Sequence, residues 1–306
     1  MYMALYKFLR SVMANPPFPA VSTATKEPDG LLMSGGELSP EYVIAAYANG
    51  IFPWFNPGQP ILWWAPSQRM VLNYQNLKIS HSLRKTLKKI QRQARSNVPD
   101  LRPHDASGNH FTIQPRRRHK DNNPALEIST DRLSLVASQD RPFNKDSTSE
   151  SHTDKHYTIK LDTAFERVMR ACAEPREHEQ GTWISEDFIQ AYGELHDIGL
   201  AHSFETWCNG ELVGGLYGVS IGKMFFGESM FSRQADASKI ALVFAANYLA
   251  DQGIYNIDCQ QDTPHLRSMG ADLMPREDFT NLLGRTILEG PIVWRRGSIN
   301  PGILLL

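Results

Sequence analysis

The sequence predicts an α+β fold whose C-terminal half is built on a mixed β-sheet, and three observations predict it. Residues 201–231, AHSFETWCNGELVGGLYGVSIGKMFFGESMF, leave the helical period and carry two turn signals, Asn209-Gly210 and Ile221-Gly222. That pattern reads as a three-stranded antiparallel meander. DASKIALVFAANYLADQG follows as a helix capped near Asp236 and stopped at Gly253. IYNIDCQ is then a strand, and a strand–helix–strand order implies a parallel pair in one sheet.

The other elements follow in chain order. The opening MYMALYKFLRSVMANPPF has basic residues inside its apolar part rather than before it, so it is a poor secretory signal and reads as a surface-docked segment. Residues 25–35 are rich in turn formers. GELSPEYVIAAYANGIFPW is a short helix, with Ser39 as N-cap, Pro40 in the first position and Gly50 as its close. ILWWAPSQRMVL reads as a strand, a proline break and a second strand, and HSLRKTLKKIQRQAR as a basic helix. Residues 94–156 are dense in Arg, His, Asp, Asn, Ser and Pro without sustained periodicity. Such a stretch buries too little apolar surface to offset its ordering entropy, and it is expected to be a disordered insertion. Five of the ten histidines lie there, at spacings that match no metal site. Residues 162–173 read as a helix capped by Asp162, with Phe165, Met169 and Cys172 on one face. EDFIQAYGELHDIG is another, capped by Ser185 and ended by Gly199, with Phe188, Tyr192 and Leu195 as its apolar stripe. The expected organisation is a small N-terminal domain over 1–93, the insertion over 94–156 and the mixed-sheet domain over 157–306.

Composition narrows the function. The 306 residues are 41% hydrophobic and 21% charged, ordinary for a globular protein with a sizeable core. A formal net charge of −1 excludes a whole-protein electrostatic grip on nucleic acid, so any such contact must come from a local basic patch. The three cysteines, Cys172, Cys208 and Cys259, form no disulfide framework and fit a reducing, cytoplasmic compartment. No apolar run approaches the roughly 20 residues of a membrane span.

Four stretches carry candidate chemistry. In IDCQ, strand alternation puts Asp258 and Gln260 on one face, with Ile257 and Cys259 on the other. A carboxylate and an amide at a strand end can orient and deprotonate an incoming amine; they can equally serve as a satisfied cap. In FFGESMF, Gly227 permits close backbone approach, and Glu228 stands among Phe225, Phe226, Met230 and Phe231. A carboxylate in that setting is either functional or paired, with Arg233 or Lys239 as partners. Trp54, Trp63 and Trp64 offer stacking surface or core packing. Arg69, Arg84, Lys85, Lys88, Lys89 and Arg92 form either a solvated face or a phosphate-neutralising one. The order of meander, helix and parallel strand resembles the GNAT-type acyltransferase arrangement. The loop FSRQADASK before the helix lacks the glycines that cradle the CoA pyrophosphate in those enzymes, which argues against a CoA donor. No nucleophile elbow or convincing nucleophile set is present.

Taken together and in order, EPDGLLMSGGELSP, GIFPWF, ILWWAPSQRMVL, GTWIS, AYGELHDIGLAHSFETW, ELVGGLYGVSIGKMFFGESMFS, ASKIAL, and IDCQ with HLRSMGA resemble the leucyl/phenylalanyl-tRNA–protein transferases. The resemblance implies a small N-terminal domain, a GNAT-like C-terminal domain, and no metal or cofactor. It implies transfer of Leu or Phe, and less readily Met, from aminoacyl-tRNA to proteins beginning with Arg or Lys, marking them for N-degron degradation. Because the tRNA ester is already activated, a free α-amine can attack it directly, which accounts for the missing nucleophile. By resemblance Asp258, Gln260 and Glu228 carry the chemistry. Phe225, Met230, Leu242 and Ile257, with Gly227 and Ser229 of the same motif, form the apolar pocket. Trp54, Trp183 and Tyr47 surround the terminal adenosine and the acceptor. Arg69, Arg84, Lys85, Lys88 and Lys89 form the tRNA surface. A monomer with no membrane contact is expected. A CoA-dependent N-acyltransferase and a non-catalytic tRNA- or degron-binding protein are the alternatives.

Overall fold

A computed structural model describes residues 2–96, 155–175, 182–290 and 292–305. They belong to one compact unit built from residues 1–98 and 155–306. The expected disordered insertion over 94–156 lies, except at its two ends, outside the described residues.

The N-terminal segment supplies α1 (Tyr2–Ala14), β1 (Leu31–Ser34), α2 (Pro40–Ala48), β2 (Phe52–Pro53), β3 (Leu62–Trp64), β4 (Gln68–Asn73) and α3 (His81–Ser96). Pro40 opens α2 as expected, and the Ser39 hydroxyl accepts the Tyr42 N–H at 3.3 Å. The basic helix α3 buries Leu83, Leu87 and Ile90 at three- and four-residue spacing and leaves its cations toward solvent.

From residue 157 onward come β5 (Tyr157–Leu161), α4 (Phe165–Cys172), α5 (Glu186–Asp197), β6 (Ala201–Cys208), β7 (Glu211–Ile221), β8 (Met224–Ser232) and α6 (Ala237–Asp251). They are followed by β9 (Asn256–Gln260), α7 (Pro264–Ser268), β10 (Asp272–Pro275), α8 (Arg276–Thr286) and β11 (Gly297–Ser298). The meander is present: β6, β7 and β8 pair antiparallel in sequence, joined by tight turns at Asn209-Gly210 and Gly222-Lys223. The parallel pair is present too, between β8 and β9. Eight strands form one mixed sheet in the order β10-β4-β9-β8-β7-β6-β5-β11, and β1, β3 and β2 form a small second sheet. Thus β4, from the N-terminal segment, lies inside the large sheet between β9 and β10.

Two helical layers bury the sheet. Apolar residues of α2, α4 and α5 form one core cluster, and those of α3 and α6 form the other. Alternation along β8 feeds both, with Met224 and Phe226 in the first and Phe225 in the second. Among the described residues no helix is long and apolar enough to cross a membrane.

Two caps differ from expectation. Helix α4 starts at Phe165, and Asp162 does not cap it. Asp162 instead accepts the Ser203 N–H at 2.8 Å and pairs with Nδ1 of His202 at 2.8 Å. Glu205 on β6 braces the turn that leads into the helix: its buried carboxylate accepts the N–H groups of Thr163 and Ala164, each at 2.7 Å. Sequence proximity favoured Asp162; the fold instead fixes the approach to the helix through a distant carboxylate. Ser185 holds the N-cap position of α5, but its hydroxyl makes no capping bond.

Candidate active site

Strands β8 and β9 pair at only two positions, Phe225 with Ile257 and Phe226 with Asp258. Beyond them each strand carries a bulge against its other neighbour. On β8 the register against β7 runs from Gly218–Gly227 to Tyr217–Ser229, so Glu228 is the extra residue. On β9 the register against β4 runs from Val71–Asp258 to Met70–Gln260, so Cys259 is the extra residue, and Gln260 takes a left-handed φ of +60°. Bulges bend and re-aim strands. Gly218 stands opposite the first of them, where a Cβ would lie 2.3 Å from the Phe226 carbonyl oxygen, so only glycine fits without a shift. Where the two strands part, a cleft of about 920 Å³ opens.

Glu228 borders this cleft, yet protein atoms crowd its carboxylate. Oε1 accepts the Tyr47 hydroxyl at 2.5 Å and the Gln260 side-chain amide at 2.7 Å; Oε2 accepts the Tyr192 hydroxyl at 3.1 Å. The two tyrosine oxygens are 2.6 Å apart. With one proton per hydroxyl, the tyrosines fill two of the three contacts among Tyr47, Tyr192 and Glu228 while Glu228 is ionised, and all three are filled only when its carboxyl is protonated. Burial pushes the Glu228 carboxyl up to about 7, helped by nearby Asp258, while the bonds from Tyr47, Tyr192 and Gln260 pull it down. Burial and the Glu228 charge hold both tyrosines well above the ordinary phenol value, so they act as neutral donors. The suggested pairing of Glu228 with Arg233 or Lys239 is not found: Arg233 pairs with Glu174 and Lys239 with Asp236. A carboxyl that titrates near neutrality beside an amide can take a proton from an ammonium.

Asp258 and Gln260 do not act side by side. Ile257, Cys259 and Gln260 line the cleft, whereas Asp258 is fully buried away from it. There Arg69 grips it with two bonds, Nε to Oδ1 at 2.8 Å and Nη2 to Oδ2 at 2.7 Å. Oδ1 also accepts the Gln260 backbone N–H at 2.8 Å. The alternation argument fails because the bulge at Cys259 inserts one residue between Asp258 and Gln260. Arg69 likewise leaves the set of surface cations. It is 1% exposed, gives Nη1 to the Gly50 carbonyl at 3.1 Å, and lies between the rings of Phe52 and Phe279. It cannot meet a phosphate; it neutralises Asp258.

The residues named for the apolar pocket are brought together. Phe225, Gly227, Ser229, Met230, Leu242 and Ile257 all line the cleft. Trp54, 38% exposed, and Trp183, set edge-on to Phe188 at 5.1 Å, stand at its border. Tyr47 is fully buried and acts on Glu228 rather than on the cleft wall. Tyr192 was read only as part of an apolar stripe; its hydroxyl function has no periodic signal, and Glu228 reveals it. Burial holds the Cys259 thiol well above its usual range, which disfavours it as a nucleophile. Among the described residues no three metal-binding side chains converge.

On α3, Lys85, Lys88 and Lys89 are exposed and Arg84 is half-buried. The helix has six cations and no acid. It packs on α6, which contributes Ser238, Leu242 and Ala245 to the cleft.

The sequence profile described as Leucyl/phenylalanyl-tRNA protein transferase matches residues 139–284, and that of its N-terminal domain matches residues 36–67. A leucyl/phenylalanyl-tRNA–protein transferase of Nitrosomonas eutropha is 46% identical over 277 residues, covering 90% of this chain and 91% of the relative. One of Chromobacterium violaceum is 42% identical over 272 residues, 89% of each chain. Among solved structures, an aminoglycoside N-acetyltransferase in complex with CoA aligns with 48% of this chain and 98% of its own. Its identity is 16% and its TM-score 0.27, too low to carry an argument.

Proposed function

From the premise that this chain belongs to the leucyl/phenylalanyl-tRNA–protein transferase family, we propose that it transfers Leu or Phe, and less readily Met, from aminoacyl-tRNA to proteins beginning with Arg or Lys. The observation that carries the reading is Glu228, a carboxyl that burial raises to about 7 against the pull of three side-chain donors, beside an apolar cleft. The acceptor ammonium gives one proton to ionised Glu228. The freed amine attacks the ester carbonyl carbon, and a C–N bond forms as the bond to the ribose oxygen breaks. The second proton passes to that oxygen, which leaves as a hydroxyl. Gln260 orients the amine and ties it to Glu228. Asp258, held by Arg69, fixes the backbone of Gln260 rather than taking the proton. The wall formed by Phe225, Met230, Leu242 and Ile257 measures apolar bulk. Such a pocket discriminates by roughly 1–3 kcal/mol per methylene, so Leu, Phe and Met are used with overlap. The new N-terminus would mark the product for degradation, in the cytoplasm, with no cofactor required.

The test is transfer of labelled leucine from Leu-tRNA to a peptide beginning with Arg, beside one beginning with Ala, with labelled acetyl-CoA as competing donor. Transfer to the Arg peptide from tRNA alone supports the reading. Turnover of acetyl-CoA, or tRNA binding without transfer, overturns it.

The α3 cations supply the tRNA-binding surface in this reading. Replacing Lys85 and Lys88 together by Glu is expected to weaken tRNA binding at least ~10-fold. The slope of log K against log salt should flatten by about one for each phosphate no longer neutralised. Both side chains are exposed, so the unfolding temperature should hold. Unchanged salt dependence would place the tRNA elsewhere.

A further inference from the structure

We propose that Glu174 selects acceptors whose first side chain is cationic, and that Arg233 occupies Glu174 in the free protein as an internal stand-in for that side chain. The proposal rests on the aminoacyl-transfer reading above and names the residue that reads the acceptor.

Among the described residues lining the cleft, only Glu174 and Glu228 are carboxylates. Glu228 accepts bonds from three side chains. With Glu228 engaged by the acceptor's α-ammonium, the acceptor's first side chain finds one other carboxylate among the described cleft residues, Glu174, whose side chain is 55% exposed. Glu174 follows the C-terminal end of α4, next to Pro175, and shares the cleft with Trp54 and Trp183, whose faces attract the same cations.

Arg233 follows β8 and lines the cleft itself. Its Nη2 pairs with Glu174 Oε1, and its side chain is 46% exposed. Its other contacts are loose: Nη1 lies 3.5 Å from the Leu212 carbonyl oxygen, and the guanidinium is 5.4 Å from the centre of the Phe231 ring. Exposed pairs of this kind are weak. Exchanging one guanidinium for another keeps the carboxylate paired and lets Arg233 swing into water, so an acceptor arginine can displace it. A lysine ammonium makes a point contact where a guanidinium makes a forked one, so Arg acceptors should bind tighter than Lys. Neutral and acidic first residues gain nothing from the exchange.

The experiment uses the full chain and labelled peptides that begin with Arg or with citrulline, which has the same shape without the charge. Binding is read by fluorescence anisotropy, and leucine transfer is measured separately. The unaltered protein should prefer the Arg peptide by ~10-fold or more. Glu174→Gln should collapse that preference to about 2-fold. Arg233→Gln should tighten the Arg peptide by ~3-fold by removing the competitor. Opposite signs in the two variants separate selection from a structural pair, whose removal would act alike from either side. A preference unchanged in Glu174→Gln, or Arg233→Gln weakening the Arg peptide, overturns the proposal even if transfer persists. Binding that depends on Glu174 without transfer upholds it and instead overturns the acyl-transfer reading.

Discussion

Asp258→Ala is expected to lower the stability of the protein by about 3–5 kcal/mol, the usual cost of leaving one member of a buried ion pair alone. Arg69 would keep its charge beneath Phe52 and Phe279 with only the Gly50 carbonyl to meet it. The Gln260 N–H would also lose its acceptor. Activity should fall as well, because the left-handed turn that aims Gln260 at Glu228 loses its anchor. The resemblance places Asp258 among the groups that carry the chemistry; the ion pair makes it a structural anchor as well. The double variant Arg69→Met with Asp258→Asn removes both charges and keeps an oxygen for the Gln260 N–H. It should therefore unfold at higher denaturant than Asp258→Ala. Chemical denaturation of the three proteins, followed by far-UV dichroism, reads the order directly. An Asp258→Ala protein as stable as the parent would return Asp258 to the reaction itself.

Glu228→Gln should act in the opposite way, sparing the fold and removing the reaction. A positioned base typically contributes about 10²–10⁴-fold, so kcat should drop by that factor. In the parent, kcat at saturating acceptor should rise with pH through about 7, as Glu228 loses its proton. In the variant the remaining rate should rise only with the acceptor amine, at roughly 7.7–8.0. Stability supplies an independent readout. The folded carboxyl holds its proton to about 7 from an ordinary 4.5, so between these values the folded state binds more protons than the unfolded one. Parent stability therefore falls as pH rises across that window and levels off above it. Glu228→Gln should lose the slope and be at least as stable as the parent at pH 8. A variant with full activity and an unshifted profile would exclude Glu228 as the base.

How much of this was legible in the sequence depended on range. The meander and α6 were visible because turns and caps are written in neighbouring residues, Asn209-Gly210 above all. The cleft wall was visible through motif resemblance. What failed was set by distant partners. Arg69 looked like one more surface cation because nothing near it announces that Asp258 will cover it. Asp258 and Gln260 looked like neighbours on a face because the bulge between them is imposed by the register of β9 against β4. Glu205, not Asp162, braces the start of α4 for the same reason: β6 brings it from 42 residues away. Tyr192 hid inside a stripe whose period reports burial and is silent about a hydroxyl.

The place of β4 between β9 and β10 also governs how the molecule comes into being. Arg69 and Asp258 are 189 residues apart, so the strand made early must wait for partners made near the end. Pairings of such separation are slow to form, since the intervening chain loses its freedom before they reward it. On the ribosome, β4 would spend most of synthesis as an unpaired edge, the kind of surface that invites aggregation. Appearance of the native site should therefore be a late, single event that follows completion of the chain.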